Sequence, residues 1–346
     1  MTTPPALPSE AAPVRLRRPD DLVTLTPYLI GFHPADDLVL IGFAADRAVV
    51  SVRVDLPDAR GLAARVDDLL ELATRHPLEA IAALGYGPAA RTRPALTAVR
   101  RAAAQRGLRV LDLLRVEDGR WWSELCPDPG CCPPEGTPVS TDGVVAAQCT
   151  FAGLAPAADQ QEFEARLAPV SGAERAALQR AADRVEQELA GWLAELDPAA
   201  RAGEIRTAGI ATVEAAIQRY AAGGRLNDEE IARLSLLLVS IPVRDAAWRA
   251  IATPEPHLNL WTDVTRRADP LLVAAPASLL AFTAWRAGDG ALARLALERA
   301  LTADPDYPMA RLLWQALRHG LPPSILDGWG TPAWQAMLDG APRREG

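Results

Sequence analysis

The spacing of apolar residues between positions 37 and 116 switches repeatedly from the period of a β-strand to the period of a helix. Residues 37–44 form a nearly continuous apolar run, and residues 48–55 alternate apolar and polar side chains as a half-exposed strand does. Helical spacing follows from Leu62 onward. A further strand, helix and strand are predicted at residues 79–86, from about Thr92 to a stop at Gly107, and at residues 108–116.

This order of elements strongly restricts the fold of the first part of the chain. Strands that alternate with helices are joined by crossovers, which favour parallel neighbours in a sheet. The short polar break before residue 48 indicates a hairpin between the first two strands. We therefore predict an α/β domain at residues 14–140, with flanking helices and a mostly parallel sheet that has a hairpin at its antiparallel edge.

From about residue 150 the sequence shows helical spacing only. Ser171 with Glu174, and Asn227 with Glu230, have the spacing of capping boxes that begin helices. Residues 281–305 resemble one tetratricopeptide (TPR) unit, because small residues recur where two helices would pack closely. We predict an all-α domain at residues 141–335 that ends in a TPR-like helical hairpin. A disordered leader at residues 1–13 and a frayed tail at residues 336–346 complete the prediction.

All 36 basic residues are arginine, and the net charge is -8. The absence of lysine excludes a Schiff-base lysine, a P-loop lysine and a lysine general base. Scattered arginines in an acidic chain give no basic patch for nucleic acid. The longest apolar stretch, residues 271–285, is shorter than the about 20 residues of a membrane span. The start of the chain lacks the pattern of a secretory signal, so we predict a soluble, cytoplasmic protein with no membrane partner. The sequence gives no signal for nucleic-acid binding.

Three of the four cysteines lie in the stretch WWSELCPDPGCCPPEGTP, residues 121–138. Four thiols match the number of ligands in a structural zinc site. Their spacing is unusual, because Cys126 is followed by four residues and then by two adjacent cysteines, which departs from the usual pairs of zinc ligands. The favoured interpretation is a proline-stiffened loop, held by Trp121 and Trp122, with no cofactor. Zinc binding or a reversible redox pair are the alternatives. The candidate metal ligands are Cys126, Cys131, Cys132 and Cys149.

Two further groups are candidates for chemistry. His33 precedes two acids, Asp36 and Asp37, so it is a candidate base with an orienting carboxylate, although acids at a strand start also form solvated turns. Gly85 and Gly87 lie between a strand and a helix, where backbone amides bind phosphate in dinucleotide-binding proteins. Pro88 removes one such amide, and no G-x-S-x-G motif of a serine hydrolase occurs.

Three separated motifs are similar to those of one known family. They lie at residues 27–43 (PYLIGFHPADDLVLIGF), 120–139 (RWWSELCPDPGCCPPEGTPV) and 284–313 (AWRAGDGALARLALERALTADPDYPMARLL). Together they resemble the actinobacterial domain-of-unknown-function family numbered 4192, over about residues 14–325. The resemblance supports the architecture and implies no activity, cofactor or catalytic residue.

The missing catalytic motifs favour a non-enzymatic binding module over an enzyme. A ligand would lie near the carboxyl ends of the strands, in contact with residues of the α/β domain, namely Arg53, Gly85, Gly87, Trp121 and Trp122. A protein partner would bind the C-terminal helical domain. The alternatives are an enzyme that acts on a nucleotide or a phosphorylated small molecule, and a cysteine-based zinc or redox sensor.

Overall fold

The computed structural model describes residues 16–44, 47–56, 61–74, 78–140, 143–151, 155–251, 254–318 and 321. Contacts divide the chain into two compact units, Met1–Phe163 and Glu164–Gly346. The predicted leader and tail lie outside the described residues, as do His76 and His319.

The first unit contains a six-stranded sheet and its flanking helices. Its elements are α1 (Pro19–Ile30), β1 (Asp37–Ala44), β2 (Arg47–Asp55), α2 (Leu62–Thr74), β3 (Ala80–Tyr86), α3 (Ala89–Gln105), β4 (Arg109–Glu117), β5 (Arg120–Ser123), β6 (Thr137–Pro138), α4 (Val144–Phe151) and α5 (Gln160–Ala165). The unit therefore includes α4, which packs against α1, and the first residues of α5.

The sheet is mixed, and the prediction of a mostly parallel sheet is wrong. Its strand order is β2-β1-β3-β4-β5-β6, and among the described strands only β3 and β4 pair in parallel. The reason is that β1 pairs antiparallel with both β2 and β3. Helix α2 connects β2 to β3, which run in the same direction. These two strands are not neighbours, because β1 lies between them in the sheet.

Helices cover both faces of the central strands, which explains the continuous apolar runs in the sequence. On one face Leu38, Leu40 and Ile81 pack with buried residues of α2 and α3 such as Leu70 and Leu96. Burying each such side chain contributes about 1.5–3 kcal/mol. On the other face lies α1, which also packs against β4 and β5.

The second unit consists of helices among the described residues. They are α6 (Gly172–Glu195), α7 (Arg201–Ala221), α8 (Asp228–Leu237), α9 (Ile241–Arg249), α10 (Pro254–Arg267), α11 (Ala274–Arg286), α12 (Gly290–Ala303) and α13 (Pro308–Arg318). An α/β part followed by a helical part is therefore confirmed in outline. Helices α11 and α12 pack closely against each other, and their likeness to a TPR stays a prediction. Because α11 is buried from Ala274 to Trp285, it has no free face for a peptide groove.

One of the two predicted capping boxes is formed. The Asn227 side chain accepts a hydrogen bond from the Glu230 amide (2.9 Å), and the Glu230 carboxylate accepts one from the Asn227 amide (2.8 Å). The Ser171 side chain makes no cap hydrogen bond, so that capping box is wrong. Gly172, the first helical residue, has a left-handed φ of +60°, which disturbs the first turn that the Ser171 hydroxyl would cap.

Candidate functional site

A tight hairpin positions the two adjacent tryptophans. Asp118 (φ 48°) and Gly119 (φ 70°) form a two-residue turn between β4 and β5. Trp121 and Trp122 consequently belong to β5, whereas the sequence assigned them to a loop. Successive residues of a strand point to opposite faces. The Trp121 indole donates to the Asp20 carboxylate of α1 (3.1 Å) and Trp122 lies on the other face.

Trp122 holds one end of the segment that carries the cysteines. We call residues 124–136, between β5 and β6, the cysteine loop. The Trp122 indole N–H donates to the Pro134 carbonyl (3.0 Å), and the Arg120 guanidinium donates to the Gly136 carbonyl (2.8 Å). The Arg115 guanidinium lies 3.5 Å from the centre of the Trp122 ring. These contacts fix the far end of the loop to the sheet.

A turn inside the loop brings three thiols together. The Asp128 carbonyl accepts hydrogen bonds from the amides of Cys131 (3.1 Å) and Cys132 (2.7 Å), and the Asp128 carboxylate accepts one from the Gly130 amide (2.8 Å). The chain therefore reverses direction and returns both cysteines towards Cys126. The three Sγ atoms all lie within 4.8 Å of one another.

The three thiols do not have the same acidity. The pKa of Cys126 lies below its ordinary value, mainly because the backbone N–H of Asp128 donates a hydrogen bond to its sulfur. Burial raises the pKa of Cys132 to about 12, and its contact with Cys126 adds to the shift. Of these two thiols, Cys126 therefore loses its proton at the lower pH.

The distances are suited to a thiophilic metal ion. Zinc binds thiolate sulfur at about 2.3 Å, so two sulfurs on one tetrahedral ion lie about 3.8 Å apart. Sulfurs that lie within 4.8 Å of one another would have to approach by about 1 Å at most to reach that separation. The unusual spacing of the cysteines in the sequence counts less against a metal site once the turn places the sulfurs of Cys131 and Cys132 beside that of Cys126.

Cys149, the fourth candidate ligand, lies elsewhere. It is buried on α4 in a small cluster with Leu25 and Val145, and it does not belong to the three-thiol group. Burial raises the pKa of its thiol, as expected for a cysteine that packs as a small apolar residue.

The second predicted group, around His33, is brought only partly together. His33 is exposed and its amide donates to the Ala157 carbonyl (3.0 Å). Asp36 is also exposed and accepts a hydrogen bond from Arg91 (2.7 Å). Asp37 is buried and pairs with Arg53 (2.6 Å). Among the described contacts no hydrogen bond joins His33 to either carboxylate, and the acids are engaged by arginines.

The two glycines lie where the sequence places them, after β3, but the space beside them is filled. A Cβ on Gly85 would lie 3.1 Å from Thr92 of α3, and one on Gly87 would lie 3.1 Å from the Asp36 carboxylate. Helix α3 begins at Ala89, earlier than the predicted Thr92. A phosphate beside Gly87 would meet the negative charge of Asp36.

Sequence reasoning missed a buried charged network in the helical unit. The Asp263 carboxylate of α10 accepts hydrogen bonds from Tyr220, Arg225 and Arg267, the last at 3.0 Å. Arg267 also donates to Asp228 (2.6 Å). The spacing of Asp263 and Arg267 by four residues on a helix was the available signal. Because the carboxylate has three donors, the network is structural.

Fold and site together define a class of protein. Proteins of this class combine a mixed α/β sheet, an anchored loop whose three thiols lie close together, and a set of helices that follows in the sequence. The chain belongs to the family described as Domain of unknown function (DUF4192), whose family model matches residues 19–324, as the resemblance implied. Neither the curated proteins nor the solved structures contain a match. Within the described residues no helix has the length and apolar character needed to cross a membrane.

Proposed function

We propose that this protein is a non-enzymatic binding protein whose α/β unit holds one thiophilic metal ion, zinc in the first instance, through Cys126, Cys131 and Cys132. The observation that carries the proposal is the convergence of the three sulfurs within 4.8 Å. Thiolate sulfur is the donor that zinc and other soft ions prefer in proteins.

The three thiol ligands favour a binding role over a catalytic one. Three thiolates transfer much negative charge to a divalent ion, which weakens its ability to polarise a substrate. A bound ion would link Cys126 to Cys132 within the cysteine loop. Trp122 and Arg120 already hold the end of the loop to β5. We expect metal binding to stabilise this loop, since the free energy of binding adds to the stability of the folded form.

The test compares zinc content in matched cysteine variants. The wild-type chain, purified under reducing conditions without chelator, is expected to hold about one zinc per chain. Replacement of Cys126, Cys131 and Cys132 together by alanine should abolish binding. The Cys149→Ala variant is the control, because it removes a thiol of the same unit that lies outside the group. Zinc content is measured by plasma emission spectrometry after gel filtration.

Two results would refute the proposal. One is a wild-type protein that binds no zinc, cadmium or cobalt when these are added to the reduced chain. The other is equal metal content in the triple variant and the wild-type protein. If the triple variant is poorly folded, protection of the three wild-type thiols from alkylation by added zinc gives the same answer.

A further inference from the structure

We infer that a metal ion bound by Cys126, Cys131 and Cys132 keeps one coordination position for a ligand from outside the chain, and that this ligand is a small thiol. The inference rests on the proposed metal site. It adds the chemical class of the molecule that the protein would recognise there.

The number of sulfurs is the first argument. A structural zinc ion takes four ligands, and the cysteine loop supplies three. No fourth ligand atom from a histidine, cysteine, aspartate or glutamate joins the group in the part of the chain that the structure describes. Cys149, the remaining cysteine, is packed against Leu25 and Val145. As far as the described residues go, a fourth position therefore stays open, and an external donor would take it.

Access to the group is the second argument. Cys131 is exposed, and so are residues 127–130, which precede it in the turn. The contacts that anchor the loop involve Trp122 and Arg120 with Pro134 and Gly136, away from this turn in the sequence. The group is therefore open to solvent on the side of Cys131, while Cys126 and Cys132 are half-buried.

The donor set selects the kind of ligand. A metal ion with three thiolates is soft, so it prefers a polarisable sulfur to the oxygen of water. Leu125, Pro127 and Pro129, which are exposed along the loop, have no side-chain group that hydrogen-bonds a water, and the Asp128 carboxylate between them already accepts a hydrogen bond from the Gly130 amide. An external thiol would bind such an ion as a thiolate, its proton would pass to solvent, and any water that it displaced would return to solvent. No electron is transferred.

Cobalt spectroscopy tests this directly. Co²⁺ is loaded anaerobically into the reduced full-length protein, and the sulfur-to-cobalt charge-transfer absorption is measured per bound cobalt. Addition of 2-mercaptoethanol should raise this absorption by about one third, since the number of Co–S bonds rises from three to four. Imidazole at equal concentrations should leave it unchanged. The Cys149→Ala variant should behave as the wild-type protein does.

Each other outcome has a separate meaning. An absorption that stays constant in excess 2-mercaptoethanol, or one that has four-sulfur intensity before any thiol is added, overturns the external-thiol inference and leaves the metal site intact. Tighter binding of imidazole than of 2-mercaptoethanol overturns the choice of a thiol. Complete absence of sulfur-to-cobalt absorption refutes the metal site itself.

Discussion

Single residues decide whether the cysteine loop keeps its shape, and Gly136 is the clearest example. It has a left-handed φ of +80°, and a Cβ there would overlap the Trp122 indole. Gly119 has a similar φ of +70° with nothing within 4 Å of a Cβ. Trp122 is also the residue that holds the loop through Pro134.

We predict that Gly136→Ala lowers the free energy of unfolding by about 2–4 kcal/mol, and Gly119→Ala by about 1 kcal/mol. Both changes have the backbone penalty of a left-handed residue, and Gly136→Ala adds the clash with the indole. Urea unfolding followed by tryptophan fluorescence measures the difference. Equal losses in the two variants would show that the indole can move aside.

The buried carboxylate Asp263 carries a prediction about acid. Burial alone would raise its pKa, but hydrogen bonds from Tyr220 and Arg225 hold the pKa below the ordinary value of 3.8. A carboxyl group whose pKa is depressed in the folded state stabilises the fold above its unfolded pKa. This contribution is lost as the pH falls through the folded pKa.

Asp263→Asn should therefore lower stability at neutral pH by about 3–5 kcal/mol, because it leaves buried donors without a charge partner. The difference from the wild-type protein should shrink as the pH falls below about 4. Urea midpoints measured by circular dichroism across this range test both statements. Glu229→Gln, which removes an exposed pair with Arg184 (2.8 Å), is the control and should cost less than about 1 kcal/mol. A constant difference down to pH 2 would contradict the assigned pKa direction.

At the scale of elements, the two predicted capping boxes form a natural pair of experiments. Asn227 accepts a hydrogen bond from the Glu230 amide at the start of α8, whereas Ser171 makes no cap hydrogen bond at the start of α6. Asn227→Ala should cost about 1 kcal/mol and Ser171→Ala only a few tenths of that. Thermal unfolding of the two variants measures this, and a larger loss for Ser171→Ala would mean that its hydroxyl caps α6 in solution.

The sequence predicted the elements in which apolar residues recur at a clear strand or helix spacing. Strands β1 and β3 are buried runs, and α3 ends at Gln105, two residues before the expected stop Gly107 (φ 69°). Helix α1 was missed because Pro27 interrupts it, although Pro19 and two acids stand at its start. Strand β5 was missed because it is four residues long, although Asp118-Gly119 is a strong hairpin signal. Strand order could not be derived, since local spacing does not show that α2 passes over β1.

The candidate site was predictable in its residues but not in its geometry. The spacing of Cys126, Cys131 and Cys132 along the chain departed from the usual pairs of zinc ligands, so the sequence favoured a stiff loop over a metal site. The turn at Asp128 changes this, because its carbonyl accepts hydrogen bonds from both later cysteines. Pro129 and Gly130 are typical turn residues and were the available signal. The sequence could not show that Cys149 lies apart from the other three thiols, because this depends on the packing of α1 against α4.

For the whole molecule, the absence of lysine affects stability in alkali. Every cation in the described ion pairs is a guanidinium, which stays protonated at a pH where lysine would begin to lose its proton, so these pairs keep their positive partner. Burial, with a hydrogen bond to Asp263, raises the pKa of Tyr220 to about 12. A group whose pKa is raised on folding stabilises the fold below its unfolded pKa, and this stability is lost as the pH rises towards the folded pKa.

We predict that the melting temperature stays nearly constant from pH 8 to about pH 9.5 and falls between about pH 10 and 12. The triple cysteine-to-alanine variant is the suitable background, because it removes the three thiols of the cysteine loop and leaves only the buried Cys149. In that background Tyr220→Phe should lower the melting temperature at pH 8 and flatten the decline above pH 10. A decline that begins near pH 9 and is unaffected by Tyr220→Phe would contradict the prediction.

The two outer strands have a consequence for self-association. An open sheet can recruit a strand from another chain at either edge, which is a route to aggregation. Here one edge is β6, only two residues long and ending in Pro138, which has no amide proton to donate. The other edge is β2, whose Arg53 and Asp55 form an ion pair of 2.7 Å. A foreign strand would find little backbone to pair with at one side and charged side chains at the other, so the sheet is guarded against edge-to-edge growth.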